Sequence, residues 1–210
     1  MSLSNPSLNF KYDEDNFSRQ TEFKLHPEIL MHPHIPKPLH EVNPRNLMTD
    51  EEWNRVRQEA YASTNYHCIA CGVHKTQAKG HQWLEAHEFY DIDYGMGRVE
   101  VKKIVPLCHY CHNFIHSGRL SMIIGEEKSE EEVIEILEHG FKILSENNLS
   151  AFYFTLHLAH ELDVNTYGVT QSPIPDGETP EWGDWRMIWN GKEYPPKYKT
   201  YEEWKRKYSK

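Results

Sequence analysis

The sequence predicts an α+β fold, and three observations carry that expectation. Two Cys-x-x-Cys pairs, Cys68/Cys71 and Cys108/Cys111, stand 36 residues apart, which leaves room for two strands between two metal knuckles. Within that interval "WLEAHEF" and "RVEVKKIV" read as strands, the second with clear alternation. Outside it, "TDEEWNRVRQEAYAS" and "SEEEVIEILEHGFKILSENN" repeat apolar residues at helical spacing.

Taken in order, residues 1–48 form an extended arm rich in proline and histidine. Pro27, Pro33, Pro36, Pro38 and Pro44 oppose a helix. His26, His32, His34 and His40 read either as a metal tract or, more simply, as part of an arm laid over the domain or left free. A helix begins after Thr49, whose spacing to Glu52 is that of a capping box. It presents Trp53, Val56, Ala60 and Tyr61 to a core and runs to about Ser63. "CIACG" is a tight knuckle closed by Gly72, and "DIDYGMG" has the residues of a turn between the two strands. A short helix over "LCHYCHNFIHSG" is expected to stop at Gly118. Residues 49–120 then make one metal-knuckle domain.

Residues 121–170 read as a helical extension. Ser129 caps a helix whose stripe is Val133, Ile136, Leu137, Phe141 and Leu144, with Gly140 as its weak point. A second helix spans roughly Ser150 to Leu162. Both are expected to belong to the core. Residues 171–210 comprise a proline-rich linker, a tryptophan-rich hairpin turned at Asn190-Gly191, and a basic tail.

Composition narrows the function classes. The net charge of -9 argues against a broad basic surface for nucleic acid, which needs Lys and Arg to neutralise phosphates. Basic residues are local: Arg98, Lys102 and Lys103 in one group, and seven basic against three acidic residues from Gly191 onward. No apolar run approaches the roughly 18–20 residues needed to cross a bilayer, and the N-terminus lacks the form of a signal peptide. A cytoplasmic protein with no membrane partner is the expectation.

Two Cys-x-x-Cys pairs in a reducing compartment read as a structural zinc site of four thiolates, Cys68, Cys71, Cys108 and Cys111. A redox pair would require a thioredoxin-like βαβ setting, which the pattern lacks. The histidines are separate. His112 and His116 stand at i, i+4, so they share a helix face turned about 90° from the cysteines. His87 on the preceding strand is the nearest third ligand. Three imidazoles would leave coordination positions open, as catalysis requires, and would suit Zn or Ni better than Mg. The bland reading of such a pair is a solvated helix face. His157 and His160 are expected at the surface, and His67, His74 and His81 beside the knuckle without a ligand role.

Together, "YHCIACG", "LEAHE" and "LCHYCHNFIH" resemble the zinc-knuckle branch of the HNH (His-Me finger) nucleases, frequent in bacteriophages and bacteria. The likeness covers residues 49–120, with "PKPLHEVNPRN" as a weaker lead-in. It implies a ββα-metal core in which His87, His112 and His116 hold one divalent ion (Zn, Ni, Mn or Mg) against a scissile phosphate. It also implies that the four cysteines hold zinc. Two positions depart from the family: Glu88 stands at the general-base His and Lys103 at the orienting Asn. A glutamate is ordinarily a weaker base than imidazole, and an ammonium cannot accept a hydrogen bond. In a register shifted by one residue His87 would be the base itself, with an acid such as Glu85 or Asp91 helping to hold the metal.

The resemblance implies a metal-dependent endonuclease hydrolysing DNA phosphodiester bonds. Glu88, His87 and Lys103 are its candidate catalytic residues, and Arg98, Lys102, Lys103 and Arg119 its candidate phosphate contacts. The alternative is an attenuated module of the same fold that binds DNA or a host protein, such as a phage-encoded inhibitor of a bacterial system. A structural two-zinc interaction domain is the third reading.

Overall fold

A computed structural model describes residues 23–173 and 180–208. The expectations for residues 1–22 and for the middle of the proline-rich linker, 174–179, lie outside the described residues. Among the described residues seven α-helices and one four-stranded mixed sheet form an α+β fold.

The arm is not without turns. It makes two 3-10 segments, Pro27–Met31 and Lys37–Leu39, and a single-turn helix α1, Pro44–Leu47, capped by Asn43. Each begins with or just before a proline, at positions whose N–H would have no helical partner anyway. The arm lies over the domain: Ile29 and Leu39 are fully buried, and Tyr90 Oη donates 2.5 Å to the Pro33 carbonyl. Helix α2, Asp50–Ala62, carries the expected capping box, with Thr49 and Glu52 each bonding the other's backbone N–H.

Strand β1, Glu85–Asp93, pairs antiparallel with β2, Arg98–Leu107. Both are longer than the sequence suggested; Asp91–Asp93 extend β1, and the turn is confined to residues 94–97. A bulge at Phe89/Tyr90 leaves Lys102 as the extra residue, since Phe89 opposes Lys103 and Tyr90 opposes Val101. The bulge sets Val101 and Ile104, three residues apart, on one face of the sheet. His87 opposes Val105 on the other face. Two cores follow, one around Val105 and Leu107, the other around Val99, Val101 and Ile104.

After β2 the chain enters α3, His109–Ile115. It does not stop at Gly118: it breaks at His116 (φ -87°, ψ 35°) and restarts as α4, Ser117–Ile123. The restart buries Leu120 and Ile123 and lets Ser117 Oγ meet Thr155 Oγ1 at 2.9 Å. Helix α5, Glu130–Glu146, buries all five residues of its expected stripe, each contributing about 1.5–3 kcal/mol of transfer free energy. Gly140 does not interrupt it. A Cβ there would meet the Phe114 ring at 2.1 Å, so the glycine is what lets α5 close on α3. Helix α6, Tyr153–Glu161, is shorter than expected and packs on α4. These helices share one apolar core with the knuckle region.

The hairpin is β3, Arg186–Trp189, with β4, Lys192–Tyr194, turned by Asn190 and Gly191, both at positive φ. The sequence did not foretell that β3 joins β2 in parallel, burying Trp185 and Met187. The tail forms α7, Tyr201–Tyr208. No helix among the described residues is long and apolar enough to cross a membrane.

Candidate metal centre

The four cysteine sulfurs converge within 4.8 Å of one another, with Cys71 and Cys108 Sγ 3.8 Å apart. That separation is far too long for a disulfide. It matches the edge of a tetrahedron with Zn–S bonds of about 2.3 Å, which places sulfurs about 3.8 Å apart. The knuckle at Cys68 and the start of α3 bring the pairs together, and the Ile69 N–H bonds the Pro106 carbonyl across the gap. Burial would raise the Cys68 thiol, but hydrogen bonds from Cys108, Cys111 and Cys71 pull it well below its ordinary value; burial holds Cys111 well above. Four thiolates gathered this closely are the donor set that a dication requires. His139 Nε2 approaches Cys111 Sγ at 3.4 Å, a neighbour the sequence did not single out.

His87, His112 and His116 form a second cluster. Each offers a ring nitrogen within 4.8 Å of the others, and their ring centroids lie 4.7–5.3 Å apart. His87 comes from β1; His112 and His116 come from one turn of α3 and its C-terminal break. His87 is 2% exposed, and both its ring nitrogens are buried without a hydrogen-bond partner. Buried polar atoms of native proteins are almost always paired, and the unshared pair of a neutral imidazole is what a divalent transition metal takes. Burial, then neighbouring histidines, keeps His87 well below its ordinary pKa and lowers His116 to about 3, so both rings are neutral. The donor set fits a divalent ion with open positions.

Glu85 supports this cluster from beside it. Its carboxylate accepts from His109 Nδ1 at 2.6 Å, from His81 Nε2 at 2.8 Å, and from His112 Nδ1. Burial alone would raise its pKa; the bonds to His109 and His112 outweigh burial and hold it well below the usual carboxylate range. The bond fixes the His112 ring and leaves Nε2 as its nitrogen for an ion. Lys128 Nζ extends the chain of contacts, 3.0 Å from His109 Nε2. His81, expected to stand idle, therefore belongs to the network. Only the "LEAHE" text signalled Glu85, and nothing local marked Lys128.

Glu88 opposes Ile104 and lines a cavity of about 700 Å³ that also reaches His87 and His116. Burial pushes its carboxyl above the ordinary value. A smaller cavity of about 260 Å³ meets the cluster from the other side, at Glu85, His112 and His116. Arg119 borders both, its guanidinium 2.9 Å from Glu127 in an exposed pair.

The remaining candidates lie elsewhere. Lys103 does not meet Glu88: it opposes Phe89, with its ammonium 5.3 Å from that ring's centroid. Lys102 projects from the bulge toward Glu100 and Asp91, which removes Asp91 from the metal cluster. Arg98 sits at the far end of β2, 3.4 Å from Glu193. The charges of Lys102 and Arg98 are thus matched by acids, whereas Lys103 is set against an aromatic ring. His157 pairs with Glu161 at the surface, and His160 is exposed, as expected.

No protein-family model, no curated protein and no solved structure matches the chain. What the site can do follows from its own chemistry.

Proposed function

We propose that the protein is a metal-dependent endonuclease of the HNH type that hydrolyses DNA phosphodiester bonds, with β1, β2 and α3 as its ββα-metal unit. The observation that carries the reading is the buried His87, with both ring nitrogens unpartnered, facing His112 and His116. A divalent ion held there supplies positive charge to the scissile phosphate and to the leaving 3′ oxygen. His87, His112 and His116 bind, and Glu85 orients His112. Glu88, on the opposite face of β1 from His87 but lining the same cavity as His87 and His116, takes the proton of the attacking water; burial raises its pKa and makes it a stronger base than an ordinary carboxylate. Arg119, at the edge of both cavities, contacts phosphate. Arg98, Lys102 and Lys103 leave the role of phosphate contact to other groups. Zinc in the four-cysteine cage holds the fold.

The position of Lys103 favours a second reading. With no orienting Asn and a lysine turned onto Phe89, the same fold serves as an attenuated module that grips DNA or a host protein. Incubating supercoiled plasmid with Mg, Mn, Ni or Zn separates the two. Cutting that both Glu88→Ala and His116→Ala abolish supports the enzyme with Glu88 as base. Loss in His116→Ala alone moves the base to His87. No cutting with any metal leaves the binding module.

A further inference from the structure

The larger cavity is unlike a phosphate-binding surface. Its walls are apolar and aromatic, with Tyr90, Phe154, Trp204 and Tyr208 among them, and one end carries Glu88, His87, His116 and Arg119. At about 700 Å³ it falls within the range of small-molecule sites, which pair apolar walls with a few convergent polar groups. It reaches residues on both faces of β1, the edge strand of the sheet, and the arm and α7 close it on the opposite side. Three large side chains on its lining remain open to solvent: Met122, 69% exposed, Tyr208, 44% exposed, and Phe154, 41% exposed, whose ring meets that of His34 edge-on. The unpartnered, buried ring of His87 at the polar end is the second sign of a ligand.

We propose that this cavity seats a nucleotide unit, its base against the aromatic walls and its phosphate at the end formed by His116, Arg119 and the histidine-bound ion. The proposal rests on the nuclease reading and names its substrate: a strand unpaired at the scissile step. Stacked and paired bases of a duplex cannot turn a face into a cavity; a base enters only from a single strand or after leaving the stack. Base–aromatic stacking tolerates any sequence, because every base has a π-face. The acidic body agrees with this. With net charge -9, affinity comes from stacking and one local anion site rather than from a long phosphate track.

The test is equilibrium binding to the full, metal-loaded chain carrying Glu88→Gln, so that strands stay whole. The probes are a labelled single strand of about 12 nucleotides, its duplex, and the same strand built from abasic units. Stacking of one base predicts a single strand bound at least about tenfold more tightly than duplex, with the advantage lost in the abasic strand. Phe154→Ala is expected to lower single-strand affinity by about tenfold and Met122→Ala by less, since a thioether offers no ring to stack on; both should leave metal content unchanged. Competition by a free deoxynucleoside monophosphate at similar concentration identifies a mononucleotide site; competition only at far higher concentration identifies a strand. Equal binding of duplex and single strand, or full binding of the abasic strand, overturns the proposal. Single-strand preference in a wild-type chain that cuts nothing keeps the cavity and removes the nuclease reading; plasmid cutting without that preference does the reverse.

Discussion

The sulfur cage and the imidazole cluster lie on the same short helix yet are built to opposite specifications. The cage draws four like ligands from two knuckles, three of them buried and Cys71 half-buried, and has no coordination position left. The cluster has three ligands, a carboxylate steering one of them, and a cavity on either side. On the proposed reading, the first arrangement would convert ion affinity into folding and the second would keep an ion within reach of a substrate. What separates them is the 3.6-residue period along this helix, which sets the edge shared by His112 and His116 about 90° from the edge shared by Cys108 and Cys111.

The largest effect that could break this contrast is at the cage. Cys111→Ser is expected to abolish cooperative folding, since a structural zinc site contributes on the order of 10 kcal/mol; loss of the thermal transition and of bound zinc checks it. His116→Ala should leave the fold and the cage metal intact while removing one metal equivalent and all cleavage, as read by elemental analysis and plasmid nicking. Glu85→Gln should sharpen the distinction further. The cage is untouched, while affinity of the imidazole site for metal falls about 10–100-fold, measured by competition with a chromogenic chelator.

Smaller effects lie outside both sites. Gly140→Ala drives a methyl into the Phe114 ring; overpacking of this kind costs about 1–3 kcal/mol, and calorimetry should show a fall in Tm without metal loss. Glu41 ties the arm to the tail, accepting from Lys197, from Tyr198 Oη and from Tyr208 Oη. Those three bonds lower its pKa to about 2 against slight burial. A depressed carboxylate stabilises fully above its unfolded value near 4.5 and loses that contribution as pH falls toward 2. Glu41→Gln should therefore loosen α7 at neutral pH, seen as faster proteolysis of the tail, with the gap to the wild type closing below pH 4.5.

Local patterns were legible in the sequence. The capping box at Thr49, the stripe of α5, the Asn190-Gly191 turn and the joint spacing of cysteines and histidines each depend on residues a few positions apart. Features settled by distant parts of the chain were not. Nothing near Arg98 indicates that Glu193 would claim it, and nothing near Gly140 announces Phe114. The helix at Ser117–Ile123 escaped notice because Gly118 imitates a stop signal, while the burial of Leu120 and Ile123 that overrides it is tertiary. Glu85 stood in the text as one of two acids that could help a metal; only the fold gathers His81, His109 and His112 around it.

Metal content of the purified chain before and after dialysis against EDTA tests the central claim most directly. Two equivalents are expected, one surviving dialysis in the wild type and in His116→Ala, the other lost from the wild type on dialysis and missing from His116→Ala from the start. A single equivalent, unchanged by substitution of His87, His112 or His116, would contradict the account.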